Sequence, residues 1–236
     1  MLKFIENLYE VRTLRKNVCY VKNSVMYFKW AFPTGKGGFN LTYTDMLDKK
    51  LLKEILAETK NYKTVLTSSL RYLDKKYPEF LEKPEETIIY GLVQTTPFSV
   101  NEQFVYKLVQ SKEDLLLWGQ LASQVYTDYD ADFIFESFKT DIRKKYASYF
   151  IFYEKGKPVG VSQVIRGAGY SAVYWVGVLE QYRKKGFGTE LTKCTLNYEI
   201  KHKRCRFLLS ATEVGLKIYQ KLGFKASETL YEYPLR

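Results

Sequence analysis

Hydrophobic positions along the chain switch between two periods. Runs of β-branched and aromatic residues predict strands at Phe104–Val109, Tyr149–Tyr153, Val159–Val164, Tyr174–Val178, Arg206–Leu209 and Ser227–Tyr233, the last ended by Pro234. Glu154-Lys155-Gly156-Lys157-Pro158 joins the second and third of these as a hairpin. Between the strands the apolar spacing becomes helical. Ser111-Lys112-Glu113-Asp114 reads as a cap opening a helix over Leu115–Tyr126, and Asp132–Lys145 places Phe133, Phe138 and Ile142 on one side. Thr189–Leu196 continues the pattern. Thr212 and Glu213 suit the start of a further helix whose apolar face holds Leu216, Ile218, Tyr219 and Leu222, with Gly223 as its stop. The order is strand, two helices, three strands, helix, strand, helix, strand.

The first hundred residues follow a looser pattern. Cys19–Val21 and Val25–Trp30 predict a hairpin about Lys22-Asn23-Ser24, and Pro33–Gly38 predicts a loop. Asp48–Thr59 predicts a helix with Leu51, Leu52, Ile55 and Leu56 on one face. A short helix is expected from Leu70 to near Tyr77-Pro78, then a strand over Glu86–Val93. Helix, short helix and strand echo the chain's own C-terminal order, as a degenerate half-copy that shapes a cleft and binds no cofactor. Thr95-Thr96-Pro97 marks a boundary, giving an N-terminal α/β segment at 1–97 and a second domain at 98–236.

The chain has 236 residues, 46% of them hydrophobic, enough for a sizeable core. No apolar run is long enough for a transmembrane helix, and Met1–Asn7 carries charges where a signal peptide needs an apolar block. The expectation is a cytoplasmic protein without membrane partners. Three cysteines at Cys19, Cys194 and Cys205 form no metal-ligand or disulfide pattern, and a single histidine, His202, argues against a histidine metal centre. Cys194 falls on an apolar helix side. The net charge of +11 raises nucleic acid as a partner. The excess is divided almost evenly along the chain without a basic tail, which weighs against that partner and equally suits a small anionic one. Lys201-His202-Lys203-Arg204 sits at an expected helix C-terminus, where cations complement the dipole.

One stretch carries chemistry. Arg183-Lys184-Lys185-Gly186-Phe187-Gly188 lies between the Tyr174–Val178 strand and the helix that follows. Glycine allows close backbone approach, and the free N–H groups of a helix's first turn favour an anion. By itself such a loop is equally a tight connection. Downstream, the capped helix carries Tyr219 and ends in Gly223-Phe224.

These two features together resemble the GNAT superfamily of acyl-CoA-dependent N-acyltransferases. Arg183 to Gly188 fills the family's Gln/Arg-x-x-Gly-x-Gly/Ala pyrophosphate loop. Val178-Leu179-Glu180-Gln181-Tyr182-Arg183 is similar to the family's Val-x-Pro-x-Tyr-Arg run, with Glu180 in place of proline. Tyr219…Gly223-Phe224 matches the later signature, and the stretch from Gly188 to Tyr219 leaves room for the required helix and strand. The resemblance implies an α+β (mixed α/β) fold, a central mixed sheet flanked by helices, with the N-terminal α/β segment added to it.

It also implies acetyl transfer from acetyl-CoA to a primary amine, small molecule or peptide, by direct attack in a ternary complex. Arg183, Lys184, Lys185, Gly186, Phe187, Gly188 and Thr189 would hold the diphosphate. Val176 and Val178 would border pantetheine, and an amide near Val178 would face the thioester oxygen. Tyr219 would protonate the leaving thiolate. Thr212 stands where many relatives carry a pantetheine-contacting Asn, and is equally a helix cap. Glu180, Tyr174 and Glu213 are candidates for a base; His202 is too far along its helix. Asp128, Asp130 and Asp132 could greet a cationic amine or cap a helix, near Trp118 and other aromatics. No metal is implied, and a homodimer is compatible with the reading. The alternative is a catalytically inactive acyl-CoA-binding or regulatory module on the same fold.

Overall fold

The computed structural model describes residues 19–22, 25–30, 38–42, 47–60, 63–167 and 169–236. The expected loop at Pro33–Gly37 and the Met1–Asn7 segment lie outside these residues; Gly38 already belongs to a strand. The chain forms two compact units. One runs up to Ile89 and includes Ala226–Arg236, and the other spans Tyr90–Lys225. This differs from the expected division at 97/98. The reason is pairing: the last strand joins the first unit's sheet, and the strand before Gln94 supplies its end to the second.

In the first unit, β1 (Cys19–Lys22), β2 (Val25–Trp30) and β3 (Gly38–Thr42) pair antiparallel in succession. Helix α1 (Lys49–Thr59) then crosses to β4 (Lys63–Ser68), which lies parallel to β3. Asp48 caps α1, its carboxylate accepting the Leu51 amide at 2.7 Å. A single turn, α2 (Leu73–Lys76), leads to β5 (Glu85–Val93). On β4's other side lies the final strand, β11 (Lys225–Pro234), antiparallel with Tyr231 opposite Ser68. Leu52, Ile55, Leu66, Leu73, Leu81 and Tyr233 fill this core. Strands β3 and β4 were not expected, although Phe39-Asn40-Leu41-Thr42 alternates and Lys63–Ser68 is rich in β-branched residues; at five and six residues each signal is short.

The second unit orders its strands as the end of β5, then β10, β9, β8, β7 and β6. These are β6 (Phe104–Leu108), β7 (Ala147–Glu154), β8 (Lys157–Gly167), β9 (Tyr170–Val178) and β10 (Arg206–Ser210). The β7–β8 hairpin turns on Lys155 and Gly156, both at positive φ. On one face pack α5 (Phe187–Lys201) and α6 (Glu213–Lys221), with Leu191, Cys194, Tyr219 and Phe224 in the core. On the other pack α3 (Lys112–Val125) and α4 (Ala131–Phe138), with Trp118 at its centre. Trp118 is fully buried and donates its indole N–H to the Ser162 carbonyl at 3.2 Å. Ser111 caps α3 as expected, accepting the Asp114 amide.

Helix α4 is shorter than the expected 132–145. Its continuation breaks into turns because Asp141, fully buried, accepts the hydroxyls of Tyr146 and Tyr149 at 2.7 and 2.8 Å, while Arg143 takes a positive φ. Among the described residues no helix is long and apolar enough to cross a membrane.

One ion pair fastens α5 to the sheet. Glu199 is fully buried. It accepts Arg166 Nε at 2.8 and 3.1 Å and Arg166 Nη2, and the Ser171 hydroxyl at 2.6 Å. Glu199→Ala would leave Arg166, itself mostly enclosed, without its counter-charge. The expected loss is about 3–5 kcal/mol in urea unfolding; a loss under about 1 kcal/mol would show the pair to be dispensable.

Candidate functional site

The site is built where β9 departs from regular geometry. β10 runs parallel to β9 but pairs with it only at Phe207–Ser171 and Leu208–Ala172. Past Ala172 the two strands part. On its other edge β9 stays paired with β8 through Gly160–Val178, with a register shift between Val161 and Gln163. Across that shift three steps of β9 oppose two of β8, and Trp175 sits in the left-handed region at φ 52°. This is a β-bulge, one extra residue that bends its strand. Its effect is visible in the packing: Val173, Val176 and Val178 face the α5 side while Trp175 faces the α3 side.

Backbone alternation defines the freed edge. Leu179 donates its amide to Val159 on β8 at 3.0 Å. In an antiparallel ladder Gly177 then also bonds toward β8, so the polar groups of Val176 and Val178 point away from β8. Two side chains meet their carbonyls. Tyr126 donates its hydroxyl to Val176 at 2.9 Å, and Arg183 donates Nε to Val178 at 3.1 Å.

Beyond Val178, a turn of 3-10 helix at Glu180–Tyr182 leads into the glycine loop. Lys184 and Gly186 take positive φ, 60° and 84°. Gly186 occupies the N-cap position of α5 with no side-chain cap, and the space beside its Cα is open. The first amides to find a helical partner are those of Thr189 and Glu190, both on the Gly186 carbonyl. Those of Phe187 and Gly188 meet no acceptor among the described residues. Gly188 is required by closeness: a Cβ there would lie 3.0 Å from Ile218 Cδ1 of α6. Lys184 and Lys185 are exposed; Lys185 reaches back to the Gln181 carbonyl at 3.0 Å.

Tyr219 lies on α6. Gly223 at φ 93° ends this helix, with Phe224 N–H bonding to the Tyr219 carbonyl and Gly223 N–H to Gln220, both at 3.0 Å. This is a Schellman cap, and its accompanying apolar contact is Tyr219 against Phe224, ring centroids 5.9 Å apart. The spaced Tyr…Gly-Phe motif is therefore one local structure that fixes the Tyr219 ring. The ring packs over Gly215, where a Cβ would lie 2.9 Å from Cε2. Tyr219 is 8% exposed, and burial pushes its phenol up to about 12. Its hydroxyl meets no hydrogen-bond partner among the described residues.

Thr212 caps α6, its hydroxyl accepting the Gly215 amide at 3.3 Å, and is exposed. Glu213 is the acidic first-turn residue of α6, and Glu180 stands exposed in the 3-10 turn. Asp130 caps α4, accepting the Phe133 amide at 2.6 Å. Asp128 and Asp132 are exposed. Cys194 is buried, which pushes its thiol up to about 11 and makes it a packing residue. His202, past the C-terminal end of α5, bonds the Tyr198 carbonyl through Nδ1. Tyr126 was missed by sequence reading: it lies just past α3, and nothing in its neighbourhood announces a bond to a strand 50 residues on.

Residues 145–226 match the family model described as "Acetyltransferase (GNAT) domain". No curated protein matches the sequence. The fold is similar to that of a GCN5-related N-acetyltransferase from Kribbella flavida, with a TM-score of 0.72, 12% identity, and coverage of 98% of this chain and 96% of that one. A GCN5-related N-acetyltransferase from Sphaerobacter thermophilus gives a TM-score of 0.65 at 10% identity, covering 89% and 76%. A functionally unknown conserved protein from Staphylococcus epidermidis gives 0.63 at 13% identity, covering 97% and 98%. Residues 145–226 are thus similar to a GNAT acetyltransferase domain, and the likeness of fold to the Kribbella flavida protein extends over nearly the whole chain.

The Schellman cap can be tested directly. Gly223→Ala must hold an L side chain at φ 93° with Leu92 Cδ1 at 3.4 Å. The expected cost is about 1–2 kcal/mol in chemical unfolding. A neutral substitution would mean that the cap does not constrain α6.

Proposed function

We propose that this protein transfers the acetyl group of acetyl-CoA to a primary amine by direct attack within a ternary complex. One observation carries the reading: the β9 edge freed past Ala172 runs from the bulge to an α5 N-terminus with unspent amides, with the buried Tyr219 ring on α6 and its hydroxyl without a hydrogen-bond partner among the described residues. An extended pantetheine chain suits a strand edge, and a diphosphate suits the Gly186–Gly188 amides and the positive end of α5. Arg183, Lys184 and Lys185 add charge. Arg183 would exchange the Val178 carbonyl for phosphate oxygens, and Thr189 borders the same turn. Thr212 stays a cap whose hydroxyl proton is free to reach a ligand.

The chemistry then needs a donor for the thioester oxygen and a proton for the thiolate. The Val178 amide, directed away from β8, suits the first role. Tyr219 suits the second. A phenol near 12 gives its proton to a thiolate of ordinary pKa only uphill, by roughly 5 kcal/mol. Burial raises the thiolate's own pKa as well, which narrows the gap, and a strong O–H···S⁻ bond stabilises the departing charge before full transfer. The attacking amine must be neutral; Glu180, Glu213 or a water chain to solvent can take its proton. The acceptor would approach from the α3–α4 connection, where Tyr129 flanks Trp175 at 5.3 Å between ring centroids.

A thiol-release assay with acetyl-CoA against amines, amino acids and peptides tests the reading. Release with at least one acceptor is expected. CoA binding without any release would instead favour the inactive acyl-CoA-binding module. Tyr219→Phe is expected to lower kcat about 100-fold while CoA affinity stays within about threefold; an unchanged kcat would remove Tyr219 from the reaction.

The pH profile gives a separate test. Because Tyr219 is raised, its protonated, donating form persists well past pH 10. Activity should rise as the amine deprotonates and show no alkaline fall between pH 8 and 10. A fall centred near pH 9 that Tyr219→Phe abolishes would contradict the assignment.

A further inference from the structure

Tyr126 is joined to three consecutive residues of β9, and these are the residues of the bulge and its exit. Its hydroxyl donates to the Val176 carbonyl at 2.9 Å. Its ring meets Trp175 edge-on, centroids 4.9 Å apart and planes at 73°. Gly177 leaves the room the ring occupies: a Cβ on Gly177 would lie 3.2 Å from Tyr126 Cε2 and 2.9 Å from Val125 Cγ1. Tyr126 is itself held, since its amide closes the last turn of α3 on Ala122 at 2.8 Å. The bulge is thus clamped from the end of a packed helix through one phenol.

We infer that Tyr126 is a positioning residue for acyl transfer, its bond to the Val176 carbonyl fixing the β9 backbone so that the Val178 amide is aimed at the thioester oxygen. This inference rests on the proposed function of the β9 edge. The physical reason is that a bulge leaves its strand with a softened ladder on one side, and here β10 gives no support on the other. A peptide without a fixed partner rotates, and a rotated peptide carries its neighbour's amide with it. An oxyanion donor stabilises the transition state only when it is oriented beforehand. Tyr126 supplies the missing constraint. Burial, with Tyr219 nearby, pushes the Tyr126 phenol up, so it stays a neutral donor across the working pH range. The next residues, Thr127–Asp130, form the connection to α4, so the same phenol ties the side from which the amine would arrive to the donor strand.

Tyr126→Phe keeps the ring against Trp175 and Gly177 and removes only the hydroxyl. The expected result is a kcat about tenfold lower, with KM for acetyl-CoA within about twofold and an almost unchanged unfolding midpoint. A residue that served only packing would not give this split. A second readout needs no activity. In free protein labelled at valine backbone positions, Tyr126→Phe should move the Val176 carbonyl resonance and speed Val178 amide exchange several-fold. Tyr219→Phe should leave both as in the wild type. A kcat within twofold of wild type in Tyr126→Phe overturns the inference, as do an unmoved Val176 carbonyl resonance and an unchanged Val178 amide exchange rate. If the wild-type protein itself releases no thiol with any amine, the proposed function fails, and the Val176 resonance and Val178 exchange alone decide whether Tyr126 orders this backbone.

Discussion

A parallel strand pair that parts after two registers is costly unless something else uses the exposed backbone, and the second unit is arranged around this one. β9 and β10 separate past Ala172 because β9 is bent by the bulge at Trp175 while β10 runs on toward α6. Both helices that follow these strands begin at the open end. Helix α5 starts without a side-chain cap and presents bare amides, whereas α6 starts with the Thr212 cap and buries Tyr219. The elements are thus polarised. The strand edge offers donors and acceptors, one helix end offers positive potential, and the other offers a phenol that burial keeps neutral.

Small residues set how closely these parts meet. Gly188 lets the first turn of α5 approach Ile218, Gly177 lets Tyr126 lie across β9, and Gly215 lets the Tyr219 ring fold against its own helix. A β-carbon at any of the three would displace its neighbour, Ile218, Val125 or Tyr219, by a few tenths of an ångström or more. Such a displacement matters because both oxyanion stabilisation and proton donation depend on short, directed bonds. The Arg166–Glu199 pair belongs to the same economy of position. It ties α5 to β8, and through Ser171 to the β9 segment that still pairs with β10, at the point where the strands begin to part.

Much of this was legible in the sequence, for identifiable reasons. The glycine loop and the Tyr219…Gly223-Phe224 spacing are local motifs: one is a helix start and the other a helix stop, and each is complete within a few residues. The caps Ser111 and Thr212 were readable for the same reason. Strands β3 and β4 carry only a short signal, the Phe39–Thr42 alternation and the β-branched residues of Lys63–Ser68, which pairing with their neighbours makes decisive. The end of α4 was missed because Asp141 is drawn inward by two tyrosine hydroxyls from β7 and its approach, a tertiary bond that overrides helical propensity. The bulge was invisible because a single register shift leaves no mark in a run as apolar as Tyr174–Val178.

The two halves of the chain invite one comparison. β3–α1–β4–α2–β5 follows the same order as β9–α5–β10–α6–β11, and in both the helix links parallel strands. The differences fall where the chemistry would be. β3 and β4 stay in register over five residues, against two for β9 and β10. With that ladder intact, β3 and β4 release no edge to each other's side among the described residues. Helix α1 opens with a side-chain cap at Asp48, which spends the Leu51 amide and places a negative charge where an anion would sit. An internal likeness of fold therefore does not carry a likeness of site. A long ladder and an acidic cap disfavour an extended anionic ligand in the first arrangement, while a broken ladder and a bare glycine start suit one in the second.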